Sequence, residues 1–137
     1  MSEKTVLVGN PNVGKTAIFT RLTGTDAEAS NYPGTTVDVL EGDIKAFSNT
    51  RLVDVPGTYS LEDGNDAEII ASEMVDGADG IINVIDSTNL ERNLGLTFEL
   101  LKKGLPMMVV LNMWVRLGGG IFPYLLKNFL ISLACLW

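Results

Sequence analysis

The chain is 137 residues long, 46% apolar and 20% charged, enough to bury one real core as a single domain. Its net charge of −7 argues against nonspecific binding to nucleic acid or to an anionic membrane. It contains no histidine, which removes imidazole bases and imidazole metal ligands, and its single cysteine, Cys135, cannot close an intrachain disulfide.

Cys135 therefore reads as an inert apolar residue, and a reducing compartment is the default. No basic stretch followed by an apolar run marks a secretory signal at the N-terminus. The charge is uneven: Glu99 is the last acid, and only bases follow it (Lys102, Lys103, Arg116 and Lys127). Such a break sets the C-terminal end apart.

The first element is a short apolar strand, Thr5-Val6-Leu7-Val8. Gly9-Asn10-Pro11-Asn12-Val13-Gly14-Lys15-Thr16 follows it and fits a phosphate-cradling loop, with a glycine, four variable positions, then Gly-Lys-Thr. Gly14 lets the backbone curl so that N–H groups converge on phosphate oxygens. Lys15 adds a point charge, and Thr16 offers a hydroxyl to Mg²⁺. Ala17 opens a helix that runs to Leu22, and its positive N-terminal end faces the same oxygens. Strand, loop and helix in that order are the context this motif needs.

Thr23 to Val37 is polar and lacks periodicity, so it reads as a functional loop. Within it, the hydroxyl of Thr35 or Thr36 could complete a Mg²⁺ shell when a terminal phosphate is present. Val39–Phe47 reads as a solvated edge strand with Glu41, Asp43 and Lys45 on one face, paired in a hairpin with Arg51–Val55. Asp54-Val55-Pro56-Gly57 ends that strand. Asp54 could hold Mg²⁺ through water, and Gly57 could present its N–H to a terminal phosphate.

Ala67–Val75 has helical spacing, and Gly80–Asp86 reads as a buried parallel strand. Thr88 and Glu91 have capping-box spacing, ahead of a helix whose apolar stripe is Leu90, Leu94, Phe98 and Leu101. Lys102-Lys103-Gly104 closes it. Met107–Leu111 is another buried strand. Asn112 follows at the carboxyl edge of the sheet, where it is either a ligand contact or a simple turn residue. From Trp114 the alternation stops. Ile121–Trp137 is apolar, but it is short for a membrane span and interrupted by Pro123, Lys127 and Asn128. It reads better as an unpacked tail or as the product of a shifted reading frame.

The phosphate loop, Asn31-Tyr32-Pro33-Gly34-Thr35-Thr36-Val37-Asp38, Asp54-Val55-Pro56-Gly57-Thr58-Tyr59-Ser60-Leu61 and Asp86–Leu94 together resemble the N-terminal G domain of the FeoB ferrous iron transporter family, from about Lys4 to Met113. The resemblance implies an α/β P-loop NTPase G domain over residues 1–113. Its sheet would be mostly parallel with one antiparallel edge strand, and it would lack the last strand and helix. Residues 114–137 would be an atypical tail.

The resemblance also implies GTP and GDP binding by Gly9 to Ala17, with Asn112 on the base side, and slow hydrolysis resting on Lys15, Thr36 and Gly57. Thr16, Thr36 and Asp54 would serve Mg²⁺, and Asn12 would be a ligand for K⁺. Relatives of full length carry a helical regulatory domain and a membrane permease in the cell membrane, which places this domain on the cytoplasmic side. Nucleic acid is not an expected partner.

Two departures stand out. Thr58 occupies the place where Ras-like enzymes carry a water-orienting glutamine, so hydrolysis would rest on positioning and electrostatics, and loss of the Thr58 hydroxyl should change the rate little. The guanine-reading Asn-x-x-Asp motif runs Asn112-Met113-Trp114-Val115, without the acid that would accept two hydrogen bonds from the base. Two other readings stay open: a nucleotide-binding module without useful catalysis, and another soluble GTPase acting in ribosome or tRNA assembly. The acidic charge and the family-specific segments weigh against the latter.

Overall fold

The computed structural model describes residues 2–24, 27–62 and 64–113. Six strands form one sheet in the order β2-β3-β4-β1-β5-β6. They are β1 (Glu3–Gly9), β2 (Glu28–Asn31), β3 (Asp38–Asp43), β4 (Thr50–Asp54), β5 (Gly80–Asp86) and β6 (Met107–Asn112). Helices α1 (Lys15–Thr23), α2 (Asp66–Asp76) and α3 (Leu90–Lys102) connect them. The β1–β4, β1–β5 and β5–β6 pairs are parallel, while β2–β3 and β3–β4 are antiparallel. The expected mostly parallel α/β sheet is present. Its expected missing strand and helix, and the apolar tail, lie outside the described residues.

The alternation of β1 builds two cores. Val6 and Val8 point to one face, where they meet Ile70, Met74 and Val75 of α2 and Leu96 and Leu100 of α3. Leu7 points to the other, with Phe19 of α1, Leu52, Ile82 and Val84. Helices on both faces explain why the central strands are nearly continuous apolar runs.

Three local expectations are corrected. Part of the polar stretch 23–37 is a strand, β2, although all four of its side chains are exposed. Its backbone pairs with β3, which therefore is not the sheet edge and is shorter than the Val39–Phe47 reading. Arg51 on β4 ties these strands by charge, bonding Glu28 and Glu41 at 2.9 Å each. Hydrogen bonds from its guanidinium to Glu41 and then Glu28 raise the Arg51 pKa further above its ordinary value.

The second correction concerns caps. No box forms at Thr88 and Glu91: Asn89 is the N-cap of α3 without a side-chain bond, and the Thr88 hydroxyl donates to Asp86 instead. The reciprocal box sits on α2, where Asn65 accepts from the Glu68 N–H and Glu68 accepts from the Asn65 N–H.

The third is the rotation of α3. Its buried residues are Asn93, Leu96, Thr97 and Leu100, while Leu90, Phe98 and Leu101 of the expected stripe are exposed. Polar residues fit the buried face because β5 brings a polar partner. Thr97 donates to Asn83 Oδ1 at 2.7 Å, and Asn83 donates to the Val8 carbonyl at 3.2 Å. A satisfied buried pair of this kind specifies one rotation of the helix. In urea unfolding, Leu100→Ala is expected to lower stability by about 2–5 kcal/mol. Phe98→Ala should stay within about 0.5 kcal/mol.

Candidate functional site

The site gathers at the carboxyl ends of β1, β4, β5 and β6. The sheet order changes direction at β1, whose helix returns toward β4 while α3 carries the chain on from β5 to β6. Ligands of open α/β sheets bind at such a switch point.

The loop after β1 has the backbone its sequence requires. Asn12 has φ 63° and Gly14 φ 86°, both left-handed. Gly14 caps α1 without any side-chain acceptor, and no acid stands in the first turn. The leading N–H groups of α1 therefore form an anion-accepting helix end. A Cβ on Gly14 would collide with Nδ2 of Asn112. A Cβ on Gly9 would lie 2.7 Å from the Val84 carbonyl oxygen. Only glycine fits at these two approaches.

Lys15 joins two motifs that lie far apart in sequence. Its ammonium donates to Asp54 Oδ1 at 3.0 Å and to the Val55 carbonyl at 2.7 Å. The side chains are only 11% and 14% exposed, so the pair is poorly screened. The parallel register that sets Leu7 opposite Asp54 makes this contact possible. Gly57 lies against the same loop: a Cβ on it would sit 3.1 Å from Pro11 Cα, and the Thr58 N–H donates to the Gly9 carbonyl at 3.2 Å.

Asn112 is more than a turn residue. Its Nδ2 donates to the Val13 carbonyl at 2.8 Å, and its own carbonyl accepts from the Ser87 N–H and hydroxyl. It thus straps β6 to the phosphate loop. Asn10 is buried and donates to the Arg92 carbonyl at 3.4 Å, while its Oδ1 has no partner among the described residues. Asn12, Thr16 and Ala17 are exposed at the mouth of the loop, and Pro11 is half-buried beside them.

The polar loop 32–37 separates its two threonines. The Thr35 hydroxyl donates to the Tyr32 carbonyl at 2.9 Å and accepts from the Val37 N–H, so it closes the loop's own turn. Thr36 is exposed. Among the described residues no hydrogen bond joins Thr36 to the phosphate loop. The loop leans on α2 instead, with the Tyr32 hydroxyl donating to Glu73 at 3.1 Å across a cavity of about 780 Å³. Burial, then the bond to Glu73 and its charge, raises the Tyr32 phenol above its ordinary value.

Four residues were given no role by the sequence reading: Ser60, Tyr59, Arg92 and Glu99. The Glu99 carboxylate accepts from the Ser60 hydroxyl at 2.9 Å and from the Leu61 N–H at 2.6 Å. Arg92 stands 4.3 Å from the centre of the Tyr59 ring. On α3 both look like ordinary surface charges, and only the fold sets them beside the segment after Gly57. Thr58 is buried, with its hydroxyl donating to the Ser60 carbonyl at 2.6 Å. It is turned into its own loop, and Thr58→Ala is expected to lower stability by about 1–3 kcal/mol in urea unfolding, the range for a buried acceptor left short.

Known proteins resemble this chain in sequence and fold. Residues 3–118 match the family model described as Ferrous iron transport protein B. The chain is 46% identical over 114 residues to the Fe(2+) transporter FeoB of Escherichia coli strain K12, covering 78% of this chain and 15% of that protein. The Salmonella typhimurium LT2 Fe(2+) transporter FeoB matches at the same identity and coverage. Among solved structures, a mutant of S. thermophilus NFeoB bound to mGDP superposes with a TM-score of 0.81 at 39% identity, over 85% of this chain and 46% of that one. The G domain of the T. maritima FeoB iron transporter superposes with a TM-score of 0.73 at 38% identity, over 80% of this chain and 70% of that one. The chain thus spans about 15% of the length of the curated relatives it matches.

Proposed function

The chain belongs to the ferrous iron transport protein B family, and on that footing we propose that residues 1–113 are a GTP-binding G domain that hydrolyses GTP slowly in the service of ferrous iron uptake. The observation that carries this reading is the Lys15–Asp54 contact, which joins the phosphate loop to the Asp-Val-Pro-Gly segment in one site. Structural relatives solved with bound GDP support a guanine nucleotide as the ligand. Residues 114–137, whose sequence departs from the alternating pattern, are not counted in that domain. Among the described residues no helix is long and apolar enough to cross a membrane, and the family's permease and helical regulatory domain would be further parts of the relatives' longer chains.

This reading gives each residue a role. The loop from Gly9 to Ala17 cradles the phosphates with its backbone N–H groups, Pro11 having none to give, and Lys15 moves its charge from the Asp54 carboxylate to phosphate oxygen. Gly57 offers its N–H to the terminal phosphate. Asn112, strapped to Val13, closes the base side. The donor set fits Mg²⁺, which takes hard oxygen ligands and is commonly held by one or two carboxylates plus phosphates. Asp54, Thr16 and Thr36 would hold it, and it would neutralise charge developing on the phosphates. Asn12, exposed in its left-handed turn, would hold K⁺.

The Thr58 hydroxyl is spent on the Ser60 carbonyl, so it is not directed at an attacking water. Turnover then rests on pre-placed donors, and it is slow.

The alternative is a nucleotide-binding fragment with impaired guanine selectivity and no useful catalysis. One observation favours it: Val115 stands where the family carries the base-reading acid. Titration with labelled GTP, GDP and ATP in Mg²⁺ and K⁺, followed by phosphate release, separates the two. Lys15→Ala is expected to weaken GTP and GDP binding by about 10- to 100-fold, the loss of one charged hydrogen-bonding group. The unaltered chain is expected to prefer GTP over ATP by less than about tenfold, and Val115→Asp should widen that gap by about tenfold or more. Binding without phosphate release would establish the second reading.

A further inference from the structure

The chain from Val55 to Asn65 has no helix or strand among its described residues. It carries Gly57, so something other than secondary structure must fix it. Segments of this kind are mobile by default. On one side the Thr58 N–H holds to the Gly9 carbonyl. On the other, Asn65 is held by the capping box of α2, and the anchors of Tyr59 to Glu62 come from α3. Glu99 accepts from the Ser60 hydroxyl with both oxygens, at 2.9 and 3.2 Å, and from the Leu61 N–H at 2.6 Å. Ser60 Oγ in turn accepts from the Glu62 N–H at 3.0 Å. Two helical turns earlier, Arg92 packs on Tyr59, and its carbonyl receives Asn10 of the phosphate loop.

Glu99 also has lysine neighbours on its own helix, yet they are engaged elsewhere. Lys102 pairs with Glu62 at 3.9 Å and Lys103 with Asp76 at 2.7 Å. The Glu99 charge is directed at neutral donors of a single segment. Hydrogen bonds to an ionised carboxylate are short and roughly twice as strong as neutral ones.

We infer that Glu99 is a positioning residue for the terminal phosphate: it anchors Ser60 and Leu61 so that the N–H of Gly57 keeps its aim. The inference rests on the GTPase reading and deepens it. Its logic is differential. A GDP molecule lacks the terminal phosphate that the proposed function assigns to Gly57, so the anchor should matter for hydrolysis and hardly at all for GDP affinity. A donor misplaced by about 1 Å can cost on the order of 100-fold in rate.

The test uses the full chain with Glu99→Ala and Glu99→Gln. For Glu99→Ala, phosphate release at saturating GTP should fall about tenfold or more, while the dissociation constant for fluorescent GDP stays within about twofold. Glu99→Gln, whose amide oxygen can still accept from the Leu61 N–H, should recover most of the rate. In the nucleotide-free protein, hydrogen exchange at the Leu61 amide should quicken in Glu99→Ala and much less in Glu99→Gln. Unchanged phosphate release or unchanged Leu61 exchange in Glu99→Ala overturns the inference. So does a parallel loss of GDP binding, which would mark a general structural role. If the unaltered chain binds no guanine nucleotide, the GTPase reading fails by itself, and Leu61 exchange alone decides whether Glu99 is the anchor.

Discussion

The structure depends on Lys15 meeting the end of β4. A largely buried ion pair of this kind is weak evidence for stability, because taking both charges from water costs about as much as their attraction returns. Its consequence lies in placement. Lys15 opens α1 and Asp54 closes β4, so the contact sets the phosphate loop against the Asp-Val-Pro-Gly segment before any ligand arrives. The contact also holds a cation in a poorly hydrated place, where a phosphate oxygen can take over from the carboxylate. That exchange would release Asp54 toward a hard cation in the proposed GTP site.

The rest of the fold arranges itself around that meeting. Parallel pairing of β1 with both β4 and β5 brings three strand ends to one edge, and β6 adds Asn112 to it. Helix α3 is the scaffold for the loops at this edge. Its inner face is polar at Asn93 and Thr97, and both are satisfied: Asn93 Oδ1 accepts from the Asp86 N–H, and Thr97 donates to Asn83. These bonds fix the rotation of α3, and that rotation decides where Arg92 and Glu99 point. Burial of a polar pair here therefore bears on the placement of the loop that α3 holds.

Much of this was legible in the residues. The glycine pattern, Lys15 and Thr16 announced a phosphate loop because only a few residue types let a backbone converge on an anion. β5 and β6 were visible as apolar runs because both of their faces are covered. The polar stretch 23–37 hid β2, because the four residues of that strand are all exposed and leave no alternation to read. The α3 stripe misled for the opposite reason. Leu90, Phe98 and Leu101 satisfy the helical period, yet the core took Leu96 and Leu100 with two polar residues, whose hydrogen bonds outweighed the simpler apolar face.

The sequence by itself determined which groups are on offer: a glycine-patterned phosphate loop with Lys15 and Thr16, the Asp54 carboxylate, no imidazole, and a valine, Val115, three residues after Asn112. It could do so because local backbone geometry and functional-group chemistry depend on neighbouring residues. Tertiary structure alone decided which distant groups meet. Lys15 with Asp54, Asn112 with Val13, and Glu99 with Ser60 and Leu61 are pairings between separate elements. They arise from strand order, register and helix rotation, which are settled by packing of the whole core and leave no mark on the residues nearby.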